Sequence, residues 1–497
     1  MQMDDEIDAL NSLIIRRGFI WGPSPEIYGG LSGFYEYGPA GTLLKNNILK
    51  VFRRIMLTEE FYEIDCPNIM PRVVWEASGH IERFIDPVTK CKKCGSLFRV
   101  DKLIKEILPD SAPDGLTFGE LENLMKKNDI KCPNCGGELG PVETYNLMLK
   151  MMIAGNQEAY LRPETATTTY LPFKRLYRDF RQKLPIKVFQ FGKAYRNEIS
   201  PRQGLIRLRE FNQFECQIFL TKEQEFDFGP YDRLKNDNIP LLPWEKQSKK
   251  EFDPIWINLE EAISNNYLKK PAYAYCLGVA FMIAKEFGFE DDNIRFRQHS
   301  NDEKAHYADD AWDLEIKTRQ YGWVEICGVH DRTNYDLKRH QEYSNEKLSV
   351  KINKKDIIPE VLEIAFGIER PVYAIIDQSI TIDKEYDRIL LKLPKNMAPV
   401  RVAIFPLIKK DDKQVKIARD IYNNLLEKGI ISEYDESGSI GKRYRRHDEL
   451  GTPYAITVDH QSLEDGTVTI RYRDTTEQDR IKIDEIYSIM KTKYDYF

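Results

Sequence analysis

The chain has 497 residues, a formal net charge of −6, 42% hydrophobic and 31% charged residues. That length exceeds what one hydrophobic core serves and predicts about two to four domains; the composition is that of a soluble globular protein, which excludes fibrous and disordered classes. A pI near 5.9 excludes a globally basic nucleic-acid binder, so any footprint for a polyanion must be local.

The opening residues, MQMDDEIDALNSLI, are acidic and have no basic flank before an apolar run, so no secretory signal is expected. Residues 18–41 are rich in glycine and aromatics and predict a tightly packed loop. From Gly41, the apolar positions Leu44, Ile48, Phe52, Ile55 and Met56 recur at helical spacing, predicting an amphipathic helix to about Glu59. The run FYEIDCPNIMP that follows reads as one strand stopped by Pro67 and Pro71.

Residues 91–135 read as an insertion with helices near 101–107 and 118–128. It is bounded by two C-x2-C knuckles, Cys91/Cys94 and Cys132/Cys135, each followed by glycine. Four thiolates aimed at one cation, with no open coordination position, make a structural zinc site. Two reduced cysteine pairs are the plainer alternative, and a redox dithiol is disfavoured because two matching knuckles imply a shared ion. Cys66, Cys216, Cys276 and Cys327 stand alone and read as small buried thiols.

Residues 141–225 are strand-rich. VFQFGKAYRNEI (188–199) and LREFNQFECQIFL (208–220), joined by a polar Pro/Arg/Gly loop, predict a long antiparallel hairpin. Four arginines, Arg196, Arg202, Arg207 and Arg209, crowd into fourteen positions there and would repel one another without an anion among them. Period two places Arg196 and Glu198 on one face of the first strand, and Arg207 and Phe211 on one face of the return. Guanidiniums clamp phosphates, an aromatic ring stacks a purine, and the purine amino group needs an acceptor. The face is a workable ATP platform; a salt-bridged surface hairpin fits the same residues. Neither G-x-x-x-x-G-K-[ST] nor a post-strand G-x-G-x-x-G occurs, so side chains would have to hold a nucleotide.

The longest apolar stretch, 272–284, is too short to span a bilayer and predicts a buried helix over about 271–287, so no membrane partner is expected and the setting is cytoplasmic. YGWVEICGVH (321–330) reads as a strand and VLEIAFGIERPVYAIID (361–377) as strand into helix. A boundary near 390–399 is followed by alternating strands and helices, which predict a compact α/β domain. Its helix from about Ile440 carries Lys442, Arg443, Arg445 and Arg446, either a solvated face or a phosphate-contacting patch.

YRNE followed by RLREF resembles motif 2 of the class II aminoacyl-tRNA synthetases, R-x-E, a loop, then R-x-x-x-F. GPAGTLLKNNILKVFRRIM…EIDCPNIMP resembles motif 1, and VLEIAFGIERPVYAII motif 3. Longer stretches (IYGGLSGFYEYGPAG, LRPETA, AHYADDAWDLE, YGWVEICGVHDRTNYDL and GSIGKRYRRHDELGTPY) are similar to the glycyl branch of that class, the dimeric archaeal and eukaryotic type, over nearly the whole chain.

The resemblance implies an α/β architecture with an α+β catalytic core, residues 1–90 and 136–395, built on an antiparallel sheet flanked by helices. A zinc-binding insertion spans 91–135 and an anticodon-binding domain 396–497. It implies ATP-dependent activation of glycine and transfer to tRNA(Gly) by a homodimer paired through motif 1. Arg196, Glu198 and Arg370 would form the catalytic set. Arg196 would contact the α-phosphate and the reacting carboxylate, Glu198 the adenine amino group and Phe211 the ring; Arg207 and Arg370 would hold the β- and γ-phosphates and Glu325 Mg2+. Glu164 and Glu363 would bind the glycine ammonium and Arg332 its carboxylate; Arg202, Lys442, Arg443, Arg445 and Arg446 would meet tRNA.

Two positions depart from the family pattern. Ala365 stands where serine is usual, removing a hydroxyl from the expected pocket, and Glu369 precedes the motif 3 arginine where small residues or aspartate are common. Three rival readings remain: another amino-acid specificity, a noncatalytic nucleic-acid-binding paralogue, and a zinc-dependent RNA-binding protein. The second would be expected to have lost the ATP arginines, and the third does not account for the hairpin.

Overall fold

The computed structural model describes residues 2–492 apart from 110, 112, 114, 115, 200, 202, 203, 302 and 305–307, with residues 2–5 described as backbone. Arg202 and the first three residues of AHYADDAWDLE therefore lie outside the described residues.

Two helices lead in, α1 (Gln2–Arg16) and α2 (Pro39–Thr58). The second starts two residues before the expected Gly41, at Pro39, whose fixed φ and missing N–H suit a first helical turn. It buries Leu44, Ile48, Val51, Phe52, Ile55 and Met56. Phe52 stacks on Phe214 with ring centroids 4.1 Å apart and meets Phe366 edge-on, which pins the helix to the middle of the main sheet.

That sheet contains β1 (Tyr62–Glu63), β2 (Ile186–Tyr195), β3 (Glu210–Leu220), β4 (Asn238–Leu242) and β5 (Ile255–Asn258). The buried helix α3 (Pro271–Glu286) intervenes, followed by β6 (Ile294–Gln298), β7 (Asp310–Thr318), β8 (Gly322–Thr333) and β9 (Glu360–Gly367), and helix α4 (Glu369–Ser379) leaves the last strand. The strand order is β5-β4-β6-β7-β8-β9-β3-β2-β1. Pairing is antiparallel except for β1 with β2 and β4 with β6. FYEIDCPNIMP is not one strand: Ile69–Pro71 joins a separate three-stranded sheet with Leu149–Ile153 and Gln157–Leu161. Pro67 has no N–H for a ladder and divides the run.

The hairpin β2–β3 is in register from Ile186↔Phe219 to Tyr195↔Glu210. Its first strand ends sooner than expected. The Arg196 N–H still donates to Arg209 O at 2.9 Å, but Asn197 N–H turns to Leu147 O and Glu198 N–H folds back on Arg196 O. Arg196, Glu198 and Arg207 thus stand at the mouth of the hairpin loop, not on its strands.

In the cysteine-bounded segment, helices Val100–Ile107 and Phe118–Lys127 pack over the strands Ile85–Lys90 and Leu97–Arg99. The C-terminal part has its own core around Val402, Ile404, Ile421, Leu425, Ile456 and Ile470. It comprises β10 (Val402–Pro406), α5 (Asp412–Glu427), β11 (Ser432–Tyr434), α6 (Ile440–Leu450), β12 (Tyr454–Val458), β13 (Thr467–Tyr472) and β14 (Gln478–Lys482), in sheet order β11-β10-β12-β13-β14. Helix α6 faces the catalytic part: Asp448 accepts from Arg388 at 2.8 Å and from Arg471 at 2.9 Å, and all three are buried. Among the described residues no helix is long and apolar enough to cross a membrane.

Candidate active site

Three adjacent central strands make the floor of a cavity of about 390 Å³. Residues directly opposite in antiparallel strands share a face. One row across β3, β9 and β8 is Glu215–Ala365–Gly328, and the next is Gln217–Glu363–His330. Over this floor the hairpin loop, Glu164 and the start of α4 close the walls.

Every described residue expected to serve ATP, namely Arg196, Glu198, Arg207, Phe211, Glu325 and Arg370, lines this one cavity. The Arg196 guanidinium lies 5.3 Å from the Phe211 ring and 5.5 Å from Phe84, and its Nε donates to Pro163 O at 3.1 Å. Among the described residues its two terminal nitrogens have no hydrogen-bond partner. Arg207 Nε donates to Glu198 Oε2 at 2.8 Å, and Glu198 is buried. Arg370 meets the Glu325 carboxylate at 3.0 Å and donates to the Glu325 carbonyl at 2.8 Å. Arg370 therefore holds Glu325 below the usual carboxylate range, against the opposing effect of burial.

The expected amino-acid site lies at the other end. Glu363 accepts from Arg332 at 3.1 Å and from Tyr170 Oη at 3.1 Å, and lies 3.0 Å from His330 Nδ1. Burial pushes Glu363 up, but Arg332 and His330 outweigh it and leave the group below its ordinary value. Burial likewise pushes Glu164 up; His80, 3.6 Å away, with Arg332 and Thr167 reverses this and keeps it ionised.

Arg332 itself differs from expectation. Its guanidinium is buried between two carboxylates, with Nε and NH2 on Asp336 at 2.9 and 3.2 Å and NH1 on Glu363. Those edges are occupied by protein carboxylates.

Glu215 escaped the sequence reading. Burial, then the charges of Glu363 and Glu164, drive its carboxyl well above the usual range. Its Oε2 accepts from Thr165 at 2.7 Å and its Oε1 from Gln213 at 2.8 Å. Counting by two from Phe211 along β3 passes Gln213 and reaches Glu215, all three lining the cavity, and that was the available signal. His330, two before Arg332 on β8, was likewise passed over.

Arg209 and the α6 cations fall outside this cavity, whereas Glu369 lines it. Arg209 donates to Glu198 O at 2.9 Å and Ser32 O at 3.0 Å, tying the hairpin mouth to the glycine-rich loop. Glu369 accepts from the Asn212 backbone N–H at 2.9 Å and so fastens α4 to β3, which gives the unusual acid before Arg370 a structural task. On α6, Lys442 and Arg445 are exposed. Arg443 instead turns inward, donating to Pro406 O at 2.6 Å and Gly438 O at 3.0 Å, and is 2% exposed. A guanidinium so buried cannot reach RNA. Arg446 pairs with Asp435.

The four sulfurs of Cys91, Cys94, Cys132 and Cys135 lie within 4.8 Å of one another. Gly95 and Gly136 take left-handed φ of 73° and 67° to make the knuckle turns, and a Cβ on Gly137 would stand 3.2 Å from Cys91 Sγ. This donor set fits a four-thiolate zinc site.

A family model described as the tRNA synthetase class II core domain (G, H, P, S and T) matches residues 149–229, and one for the anticodon binding domain matches residues 401–493. The chain is 42% identical to the glycine–tRNA ligase of Pyrococcus abyssi, over 97% of this chain and 97% of that protein. It is 40% identical to the glycine–tRNA ligase of Methanocaldococcus jannaschii, over 98% and 99%. In fold it resembles Giardia lamblia prolyl-tRNA synthetase in complex with prolyl-adenylate, with a TM-score of 0.61 and 15% identity, covering 98% of this chain and 76% of that one.

Proposed function

The chain belongs to the glycine–tRNA ligases of the class II aminoacyl-tRNA synthetases, and from that membership we infer that its cavity makes glycyl-adenylate from glycine and ATP and passes the glycyl group to the 3′ end of tRNA(Gly). One observation carries the assignment to this site: a single cavity joins three guanidiniums and an aromatic plate at one end to three carboxyl groups at the other.

In the first step a glycine carboxylate oxygen bonds to the α-phosphorus while the bond to the β-phosphate oxygen breaks and pyrophosphate leaves. In the second, the terminal ribose hydroxyl bonds to the glycyl carbonyl carbon and AMP leaves. Neither step needs a protein nucleophile; alignment and charge stabilisation suffice. Arg196, close to the Phe84 and Phe211 rings and with its terminal nitrogens available, suits the α-phosphate and the reacting carboxylate. Phe211 and Glu198 take the adenine ring and its amino group, and Arg207 and Arg370 the β- and γ-phosphates. Glu325, ionised beside Arg370, would hold Mg2+, which when bound neutralises charge on the phosphates. Glu164, Glu215 and Glu363 take the ammonium. Arg332 acts by holding Glu363 ionised and oriented, which leaves the substrate carboxylate to Arg196.

The cysteine cluster would hold a structural Zn2+ for the insertion. Motif 1 would pair two copies, consistent with the exposed apolar side chains of Leu57, Tyr62 and Ile69 beside α2 and β1. Arg202 would meet the tRNA end, and the α6 face of Lys442 and Arg445 the tRNA body; with tRNA as substrate, the enzyme works in the cytoplasm. Pyrophosphate exchange across the amino acids tests the reading: glycine should support it far above the rest. Exchange with another amino acid and none with glycine would refute the substrate assignment.

A further inference from the structure

Glycine has no side chain to grip, so discrimination against alanine depends on denied space as much as on attraction. The floor row Glu215–Ala365–Gly328 is small at two of its three positions and does not fill that space. The imidazole of His330 does. Its ring folds along β8 over Gly328 so closely that a Cβ on Gly328 would lie 2.5 Å from His330 Cε1. The ring is held on both sides. Nδ1 lies 3.0 Å from Glu363 Oε1, and the ring packs edge-on at 6.4 Å from His299, whose Nε2 is 2.7 Å from Asp313. Ala365, beside Gly328, offers no polar atom, and His330 joins Arg332 on β8 in facing Glu363.

We propose that His330 determines amino-acid specificity: its ring is the wall that excludes a Cβ, and its Nδ1–H donates to Glu363, fixing the carboxylate that takes the ammonium. The proposal rests on glycine activation in this cavity. The two roles separate in substitution. His330→Ala removes wall and donor together. His330→Asn keeps an N–H near the place of Nδ1 and loses the far half of the ring.

Pyrophosphate exchange with glycine and with alanine is measured for the wild type and both variants, with the ATP KM and thermal midpoint as checks of folding. In His330→Ala, the kcat/KM for alanine relative to glycine should rise about 10- to 100-fold. The glycine KM should rise about tenfold with kcat changed less, as for loss of one hydrogen bond to a charged group. In His330→Asn the alanine ratio should still rise while the glycine KM stays within about twofold of wild type, the pattern expected for a retained donor. A wild type that uses glycine, with both folded variants keeping its alanine ratio and glycine KM, overturns the inference. A wild type that does not use glycine overturns the functional reading, and this inference with it. If His330→Ala does not fold, the alanine ratio of His330→Asn decides alone.

Discussion

Two stretches of this chain look alike in sequence and behave oppositely in the fold. Residues 196–209 carry four arginines, and residues 442–446 carry Lys442, Arg443, Arg445 and Arg446. At the hairpin, Arg196 and Arg207 open onto one cavity, which Arg370 of α4 shares, and the counter-charges Glu198 and Glu325 line it too; Arg209 is turned to backbone carbonyls. On α6 the protein answers its own cations. Arg443 is spent on two backbone carbonyls, Arg446 on Asp435, and neighbouring Asp448 knits the helix to Arg388 and Arg471. Clustered cations line a cavity where the backbone leaves the ladder, and brace the structure where a helix packs against its neighbours.

The sharpest way to break that comparison is to truncate one arginine on each side. Arg196→Ala should reduce glycine-dependent pyrophosphate exchange by about 10³, the scale of a lost transition-state donor, while tRNA binding by filter assay stays near wild type. Exchange within tenfold of wild type would remove Arg196 from the chemistry. Arg443→Ala should do the reverse. It strands two buried carbonyls and leaves a void, so about 2–4 kcal/mol of stability should be lost. Calorimetry should show a lower midpoint for the C-terminal part with exchange retained. A normal midpoint with weakened tRNA binding would return Arg443 to the RNA-contacting set.

A smaller effect is expected from the two α6 cations that do face solvent. Lys442→Ala with Arg445→Ala should weaken tRNA binding several-fold and lower the slope of log K against log salt by about 1–2, since each phosphate contact contributes slightly under one. An unchanged slope would make the whole of α6 a structural helix.

What could be seen beforehand follows the range of the interactions. Helix α2, the β2–β3 hairpin and the two cysteine knuckles are written in local periodicity and spacing, and each forms, though the first hairpin strand ends at Tyr195. The inward turn of Arg443 is set by Pro406 O, thirty-seven residues away in sequence. The engagement of Arg332 is set by Glu363 on the neighbouring strand, which pattern counting cannot register. The division of FYEIDCPNIMP was announced by Pro67, yet which sheet would receive Ile69–Pro71 depended on strands beyond residue 149. Membership of the cavity lining was legible because a few residue types recur at motif spacing; protonation was not, because it is a sum over elements brought together by the fold.

Glu215 shows that limit and supplies the finest test of the comparison. The α6 carboxylate Asp448 meets two arginines, whereas burial and the charges of two other acids push the Glu215 carboxyl up. An ammonium arriving among Glu164, Glu215 and Glu363 favours the anion and lowers the Glu215 pKa. The complex then binds fewer protons than the free enzyme, so glycine affinity should rise with pH between the bound and free values. Within that window, calorimetric titration of glycine into the enzyme in buffers of different ionisation enthalpy should show net release of up to about one proton. Glu215→Gln should remove the buffer dependence and weaken glycine binding. Buffer-independent heats in the wild type would mean that Glu215 keeps its proton in the complex, leaving Glu164 and Glu363 to balance the ammonium alone.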